Sequence, residues 1–384
     1  DGYDFGGDNG RQRLTDDGAT RPPLYYKWRM QLGWSISQPI YHDGFFYHIA
    51  GGNVYKIPSD MGFHPKGTSS SKIMTDFYDK GGVVRSITSR YEARSHPAYD
   101  PDTDTLYVGM GNSRVHALDP DTLRTKGYMR AAGNRLVSAP TPLPNGMVAV
   151  ADEKANVQIY KDLHKGVTNK YIIYRSPSSD SSITITGSPA VSGNRLFVPI
   201  TFSGKNKPGG VQALDVSVRN GKPIVTEAWR YKTKNGVATS TVYKDGVVYF
   251  SDKAGGMYAV KASNGQKIWE NHEHRTASNT VNLVNNSPAI VGNYIVGGQA
   301  RDGRIIAFDT RNGNTRWVHN PGDQVANAPT IIKDSRRSYY VLFGTVDGYL
   351  HTLDLFTGKP QTITYDRNGQ PQPKVRVVNT DEGS

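Results

Sequence analysis

Short apolar runs separated by polar turns recur along the whole chain. Seven of them are strongly apolar and begin at residues 45, 105, 147, 195, 247, 294 and 339, where the sequence reads FFYHIA, TLYVGM, MVAVAD, RLFVPI, VVYFSD, YIVGGQ and YYVLFG. Runs of this length, rich in β-branched and aromatic residues and bounded by Gly, Asn or Asp, are typical of half-buried or fully buried β-strands. The pattern therefore predicts an all-β protein.

A hairpin that carries tryptophan in several copies follows these runs. Residues 303–320 read GRIIAFDTRNGNTRWVHN, and residues 210–231, 255–272 and 348–365 carry versions of the same pattern. Asn-Gly and related pairs favour the tight hairpin turn, because glycine adopts positive φ without steric cost. The last residue of the first hairpin strand recurs at Asp119, Asp215, Lys261, Asp309 and Asp354, and equivalent segments at residues 53–60 and 156–162 bring the count to seven.

A short strand that opens with a small residue, usually followed by proline, precedes each apolar run. Examples are Ser95-His96-Pro97, Ser138-Ala139-Pro140 and Asn327-Ala328-Pro329. Each unit thus contains four strands, and four-strand units that repeat every 40–50 residues or so are typical of a β-propeller. We predict a propeller of seven four-stranded blades, with eight blades as the alternative.

Ring closure sets the expected domain limits. Because an open propeller would expose two sheet edges, we expect an N-terminal outer strand at residues 24–32 to join the last blade. The predicted division is a lead-in segment at residues 1–23, a single propeller domain at residues 24–366, and a tail or linker at residues 367–384, which contains Gln and Pro as linkers do.

The hairpin pattern G-x-h-x-A-h-D-x-x-(T/N)-G-x-x-x-W, where h is hydrophobic, resembles the repeat of the pyrroloquinoline-quinone-type propellers. Residues 303–317 and 256–269 match it best. This family includes quinoprotein alcohol dehydrogenases and the lipoprotein propeller of the outer-membrane assembly machine. The resemblance implies the fold over most of the chain, but one fold hosts many activities. We expect the outer-strand tryptophans to pack between blades, because large aromatic residues dominate such packing; they are Trp28, Trp229, Trp269 and Trp317.

The resemblance also implies what a quinone enzyme of this family would contain. Its enzymes stack the quinone between a tryptophan and a disulfide of adjacent cysteines, and hold Ca²⁺ or a lanthanide with acidic and amide side chains. This chain has no cysteine, and no such metal set maps onto it. We therefore predict no cofactor and do not expect pyrroloquinoline quinone.

One acidic segment is a weak candidate for Ca²⁺. Asp100, Asp102 and Asp104 have the D-x-D-x-D spacing with which a calcium loop begins, but the Gly and the late Glu of such a loop are missing. The alternative is a tight turn, because Asp hydrogen-bonds to nearby backbone groups. We predict no metal site, with these three residues as the candidates to check.

Composition narrows the environment and the partners. The formal net charge is +12 and the chain lacks cysteine; the charge favours acidic partners, while no Lys/Arg run predicts specific nucleic-acid binding. No apolar run is long enough to span a membrane. The chain begins without Met, so we expect a removed leader and an extracytoplasmic protein that is secreted, periplasmic or on the cell surface.

Candidate binding residues come from the blade geometry. In a propeller, the loops that lead into each innermost strand and the loops between second and third strands share one face, here called the upper face. On this chain the upper face is predicted to combine basic, amide and aromatic side chains that would suit an anionic or sugar-like ligand; they are Trp34, Arg94, His96, Arg135, Lys253, Arg275, Asn286, Arg301 and Asn327.

Three functions are consistent with these features. The first is a non-catalytic binding or scaffold propeller, a monomer or part of a larger multidomain protein, whose basic upper face binds a protein or an anionic polysaccharide. The second is a carbohydrate-active enzyme with its site at the channel mouth, which an acidic pair over the channel would support. The third is a quinone-dependent dehydrogenase, against which the missing cysteines argue.

Overall fold

Seven β-sheets form a seven-bladed β-propeller in the computed structural model of the protein. The structure describes residues 14–18, 30, 32, 37–64, 68–87, 95–130, 132–176, 183–202, 208–237, 239–275, 287–299, 303–334, 336–365 and 368–376. Its strands are numbered here in chain order, starting with β1 at Leu14–Gly18. The predicted fold class and the count of seven four-stranded blades are confirmed.

The first three blades are built from antiparallel strands in sequence order. Blade 1 contains β2 Ile40–His42, β3 Phe45–Ala50, β4 Asn53–Pro58 and β5 Val83–Ser86, with helix α1 Ser70–Asp79 inserted before β5. Blade 2 contains β6 Ala98–Asp100, β7 Thr105–Met110, β8 Arg114–Leu118 and β9 Thr125–Met129. Blade 3 contains β10 Thr141–Leu143, β11 Met147–Ala151, β12 Asn156–Lys161 and β13 Tyr171–Arg175, with a 3₁₀ turn at Leu163–Lys165.

The remaining blades repeat this order, with a long hairpin in blade 4. Blade 4 contains β14 Ile183–Thr184, β15 Ala190–Ser192, β16 Arg195–Phe202, β17 Gly209–Arg219 and β18 Lys222–Thr233. Blade 5 contains β19 Val242–Lys244, β20 Val247–Ser251, β21 Met257–Lys261 and β22 Lys267–Asn271. Blade 6 contains β23 Ala289–Val291, β24 Tyr294–Gln299, β25 Arg304–Asp309 and β26 Thr315–His319. The last segments are β27 Thr330–Asp334, β28 Tyr339–Gly344, β29 Tyr349–Asp354, β30 Thr364–Tyr365, β31 Pro371–Gln372 and β32 Lys374–Arg376.

Both ends of the chain contribute strands to blade 7. Strand β1 runs parallel to β27 on the inner side, and β32 pairs with β29 as the outer strand. The ammonium group of Lys374 lies 4.3 Å from the ring centroid of Tyr349, which helps to hold β32 in place. The closing strand expected at residues 24–32 lies outside the described residues except for Met30 and Leu32, which are not in a strand. Because β32 joins the sheet, the propeller extends past its predicted end at residue 366.

The hydrophobic core lies in the seams between neighbouring blades. The cluster between blades 1 and 2, for example, combines Tyr47 and Val54 with Leu106 and Val108, all 2% exposed or less. Second strands such as β7 are buried along their whole length, because they face a neighbouring blade on both sides. This explains why the second strands are the continuous apolar runs of the sequence.

The tryptophans dock each blade onto the next one. Each indole nitrogen donates a hydrogen bond to a backbone carbonyl of the following hairpin, Trp229 to Ala262 at 3.0 Å, Trp269 to Thr310 at 2.7 Å and Trp317 to Leu355 at 2.8 Å. The ring then covers the turn glycine of that hairpin, and a Cβ on Gly265 would lie 2.6 Å from Trp229 Cε3. The prediction that the tryptophans pack between blades is confirmed for these three, and Trp28 lies outside the described residues.

The innermost strands are linked by hydrogen bonds that pass from blade to blade around the axis. A serine before the proline position accepts the backbone N–H of the equivalent residue one blade earlier, at 2.9 Å for Ala139 to Ser188, 2.9 Å for Ser188 to Ser240 and 3.2 Å for Ser240 to Ser287. These N–H groups are buried and would otherwise lack a partner within their own sheet, which is costly. The small residues noted in the sequence therefore also supply side-chain acceptors.

Two buried histidines predict sensitivity to acid. Burial, helped by the positive charges of Arg114 and Arg85, lowers the pKa of His116 to about 4, and burial lowers the pKa of His351 to about 4 as well, helped by Lys374. Both values lie below the unfolded value of about 6.5. The stability that these groups contribute is therefore complete above about pH 6.5 and is lost as the pH falls towards about 4. We expect the urea midpoint of unfolding to decrease across this window.

The matched variant is His116→Gln combined with His351→Gln. Blades 3 and 4 already have Gln158 and Gln212 at the position of His116 on the third strand, so glutamine fits this site in the fold. The variant should keep its urea midpoint more nearly constant between about pH 7 and about pH 4.5, because glutamine does not titrate. An equal loss of midpoint in both proteins would show that other groups cause the acid sensitivity.

Candidate binding face

The structure describes five of the nine predicted binding residues. They are His96, Arg135, Lys253, Arg275 and Asn327, whereas Trp34, Arg94, Asn286 and Arg301 lie outside the described residues. Four of them lie in the upper-face loops that precede the innermost strands of blades 2, 3, 6 and 7, and Lys253 lies between the second and third strands of blade 5. Their surroundings differ from one residue to the next.

His96 and Asn327 are part of the hydrogen bonding of the innermost strands. His96 is 7% exposed, and its Nδ1 accepts the backbone N–H of Gln38 at 2.7 Å. His96 thus links the innermost strands of blades 1 and 2 in the same way as the three serines link the innermost strands of blades 3 to 6. Asn327 is exposed, and its Oδ1 accepts the backbone N–H of Gly344 at 2.8 Å within its own blade. Both polar side chains are thus committed at least partly to the scaffold.

Arg275 belongs to a buried network in blade 5. One of its guanidinium nitrogens donates to Tyr258 Oη at 2.9 Å and lies 3.3 Å from the Asp252 carboxylate. That carboxylate, 2% exposed as a residue, also accepts bonds from Asn235 and Tyr258 side chains at 3.0 and 2.8 Å and from the N–H groups of Ala254 and Gly256. Burial and the Asp252 charge raise the pKa of the Tyr258 hydroxyl. Lys253 follows in the same turn, where its N–H donates to Gly236.

Blade 3 repeats this network with neutral partners. The fully buried Asp152 carboxylate accepts bonds from the side chains of Asn134, Asn156 and Gln158 at 3.1, 2.7 and 3.2 Å. It also accepts the N–H groups of Lys154 and Asn156. Each of these two aspartates therefore anchors the loop before its blade to the turn between the second and third strands. In both blades an asparagine before the innermost strand donates to an aspartate after the second strand. The sequence shows this repeated pair when Asn134 and Asp152 are aligned with Asn235 and Asp252.

Four exposed cations surround the seam between blades 2 and 3, and we call them the upper cationic cluster: Arg114, Arg130, Arg135 and Lys154. Arg130 and the Ser113 hydroxyl, next to Arg114, both donate to the carbonyl of Gly133. The carbonyl of Arg135 accepts the N–H of Glu153, beside Lys154. These bonds hold together the three connections that carry Ser113, Gly133 and Glu153.

The positive charge of the cluster is only partly neutralised by the nearby carboxylate of Glu153. Arg135 and Glu153 are separated by 4.0 Å, and their side chains are 44% and 45% exposed. An exposed pair at this distance is a weak one. Arg114 lies over the Tyr128 ring, 5.1 Å from its centroid. The cluster therefore presents positive charge to solvent on the upper face.

The weak Ca²⁺ candidates form a turn between β6 and β7. The Asp100 carboxylate accepts the Asp102 N–H at 3.1 Å and the Thr103 hydroxyl at 2.6 Å, and Tyr99 donates its hydroxyl to Asp104 at 2.9 Å. Burial raises the pKa of Asp100, which disfavours the charged form that a metal ligand needs. Across the described ranges, no group of three or more His, Asp or Glu side chains is placed to hold a metal ion.

Comparisons with known proteins agree with the geometry of the ring. A family model described as outer membrane protein assembly factor BamB matches residues 225–375. The chain is 30% identical over 155 residues to a quinoprotein ethanol dehydrogenase of Pseudomonas putida, a stretch that covers 35% of this chain and 24% of that enzyme. The matched repeats are similar to those of pyrroloquinoline-quinone-type propellers. The resemblance predicted from the hairpin pattern is thereby confirmed.

Two solved structures share the fold of this propeller. BamB from Moraxella catarrhalis superposes with a TM-score of 0.57 at 13% identity, over 89% of this chain and 88% of that one. Quinohemoprotein alcohol dehydrogenase from Comamonas testosteroni superposes with a TM-score of 0.62 at 13% identity, over 95% and 74%. The sequence match spans only about a quarter of the P. putida dehydrogenase, 24% of its length.

In the part of the upper face that the structure describes, the buried carboxylates are committed to the scaffold. The chain has no cysteine to form the disulfide that would cover the quinone. Two buried carboxylates of this face, Asp152 and Asp252, each accept hydrogen bonds from five donors of the scaffold. Neither carboxylate is thus open to a metal or to a substrate.

In the described part of the chain, no helix is long and apolar enough to cross a membrane.

Proposed function

We propose that this propeller is a non-catalytic scaffold outside the cytoplasm that binds an anionic partner, a protein or an acidic polysaccharide, through its upper face. The observation that carries the proposal is the upper cationic cluster, in which four exposed cations come from neighbouring loops and only Arg135, among the described residues, has a carboxylate of Glu153 within 4.0 Å. Such a cluster attracts negative charge, and its effect falls steeply with ionic strength. The similarity to the family of outer membrane protein assembly factor BamB supports a location outside the cytoplasm.

The inner groups of the upper face support binding rather than catalysis. The buried carboxylates Asp152 and Asp252 hold loops in place, and His96 accepts a backbone bond. These side chains make the rim rigid, so that the exposed cations keep a fixed arrangement. A rigid, preorganised surface binds with a smaller loss of conformational entropy.

Cosedimentation with isolated cell-envelope fractions and with an anionic polysaccharide, in a series of salt concentrations, tests the proposal. The test variant combines Arg135→Glu with Lys154→Glu. We expect retention at low salt, weakening as salt rises, and a loss of about tenfold or more in the variant, because two attractive charges become repulsive.

The control reverses the charge of two cations on blade 4, at the end of the blade that is opposite the upper face. Arg219→Glu with Lys222→Glu changes the net charge by the same amount, and both residues are exposed at the tip of the long hairpin β17–β18. This control should be retained nearly as well as the wild type. Equal losses in both variants would mean that only net charge matters, and absence of retention at low salt would refute the binding proposal.

A further inference from the structure

A cleft of about 480 Å³ opens on the lower face, opposite the upper face, at the seam between blades 4 and 5. Its walls come from the turn that leads from β15 to β16, the turn that leads from β19 to β20, and the hairpin turn after β21. Cavities of roughly 300–1,000 Å³ accommodate small molecules. Gly246, in one of these turns, has only open space where a side chain would lie.

The repeat itself shows why this seam is open. At the equivalent seam between blades 6 and 7, Phe356 packs edge-on against Tyr294 at 5.3 Å and Tyr339 at 5.8 Å. Aligning the turn glycines Gly265 and Gly358 places Ser263 at the position of Phe356. A small hydroxyl therefore stands where the other seam has a phenyl ring, and the space of that ring remains as the cleft.

An aromatic face lines one side of the cleft. The Tyr243 ring stacks on the buried Phe197 with centroids 5.8 Å apart and an interplanar angle of 11°. Phe197 also contacts the Trp229 ring at 5.9 Å, so Tyr243 rests on a rigid support. Tyr243 is only partly buried, which leaves ring surface and its hydroxyl available to a ligand in the cleft.

The polar side of the cleft is neutral and rich in hydrogen-bonding groups. Arg195 donates two bonds to Asp215, at 2.6 and 2.8 Å, and two more to the carbonyls of Ala262 and Ser263. The Arg195 guanidinium is thereby committed to these four hydrogen bonds. The Asp215 side chain is 44% exposed, and its carboxylate keeps lone pairs that can accept further hydrogen bonds. The side chains of Asn194 and Ser263 are exposed at the same cleft. The paired charges cancel, so the site favours an uncharged ligand.

We propose that this cleft binds an uncharged sugar ring. The C–H face of a pyranose would lie on the Tyr243 ring, as apolar surface does on an aromatic face. The hydroxyls at its edge would donate to Asp215 and exchange hydrogen bonds with Asn194, which gives specificity through a few placed polar groups. The site lies on the face opposite the upper cationic cluster, so it is independent of the function proposed above.

The test is binding of the fluorescently labelled protein to an array of uncharged oligosaccharides of hexoses and N-acetylhexosamines. Ser263→Phe should reduce the signal about tenfold or more, because it fills the cleft in the way Phe356 fills the seam between blades 6 and 7. Ile268→Phe adds the same ring to the same hairpin at an exposed site outside the cleft, and should leave binding unchanged. Binding should also be insensitive to salt and to reversal of Arg135 and Lys154.

A second variant keeps the test decisive if Ser263→Phe fails to fold. Asn194→Ala removes only an exposed amide in a turn, and should weaken binding several-fold without changing the unfolding midpoint. Signal at background for every sugar on the array would overturn the proposal. So would equal binding by the wild type and by folded Ser263→Phe, which would place the sugar elsewhere on the molecule.

Discussion

Replacing Gly265 by alanine should lower the free energy of unfolding by about 3–4 kcal/mol, the sum of left-handed strain and overpacking. The residue has a φ of +72°, and a Cβ there would lie 2.6 Å from Cε3 and 2.8 Å from Cδ2 of Trp229. The indole would have to leave the turn, and its bond to the Ala262 carbonyl would be strained or lost. Urea unfolding followed by tryptophan fluorescence measures the effect.

Gly221→Ala is the matched control for this variant. Gly221 has nearly the same backbone conformation, with a φ of +73°, but no atom lies within 4 Å of the position of its Cβ. It should therefore show only the cost of the left-handed conformation, about 1–2 kcal/mol. If both variants lose the same stability, the tryptophan docking between blades contributes little, and the explanation for the turn glycine is only its backbone.

Replacing Asp252 by alanine should destabilise the protein by about 3–5 kcal/mol, as breaking a buried charged pair does. The change leaves Arg275 without its counterion and removes the acceptor for Asn235, Tyr258 and two backbone N–H groups. The variant Asp79→Ala, at the exposed end of α1, has the same change of charge and should stay within about 0.5 kcal/mol of the wild type.

A double variant separates the network from the single aspartate. Asp252→Ala combined with Arg275→Met should lose less stability than the sum of the two single variants, because no unpaired charge remains buried. Unfolding midpoints in urea for the four proteins give the coupling directly. Strictly additive losses would contradict a network in which the carboxylate and the guanidinium depend on each other.

The sequence predicts the ring well because the ring is made of short-range patterns. The hairpin that ends at Asp309 carries its turn residues, its tryptophan and its buried strand within a few positions, so each copy can be recognised alone. The docking of Trp317 on Leu355 then follows from repetition. Ring closure is different, because β32 has only three residues. The run Lys374 to Asn379 could be a strand from its alternating valines, but it follows a segment that contains Gln and Pro as linkers do, and nothing nearby in the sequence indicates which strand it pairs with.

The binding residues were harder to predict for a physical reason. The repeat shows which residues lie on the upper face. Whether a side chain there is hydrogen-bonded within the scaffold or is available to a ligand depends on contacts between loops and blades. His96 accepts a bond from Gln38, which lies 58 residues earlier, and Arg275 reaches back 23 residues to Asp252. Arg130 lies in the same loop as Arg135, and Lys154 lies in the turn between the second and third strands of blade 3, so these cations stood out only once the fold placed the loop and the turn together.

Photo-crosslinking in intact envelopes tests the central claim most directly. A photoreactive phenylalanine derivative would replace Arg135 or Lys154 on the upper face and, as controls, Arg219 or Lys222 at the tip of the long hairpin. The upper-face positions should give a discrete adduct that disappears as salt is raised, and the hairpin positions should give none. Adducts that form only at the hairpin positions, or equally at the hairpin and upper-face positions, would contradict binding through the upper cationic cluster.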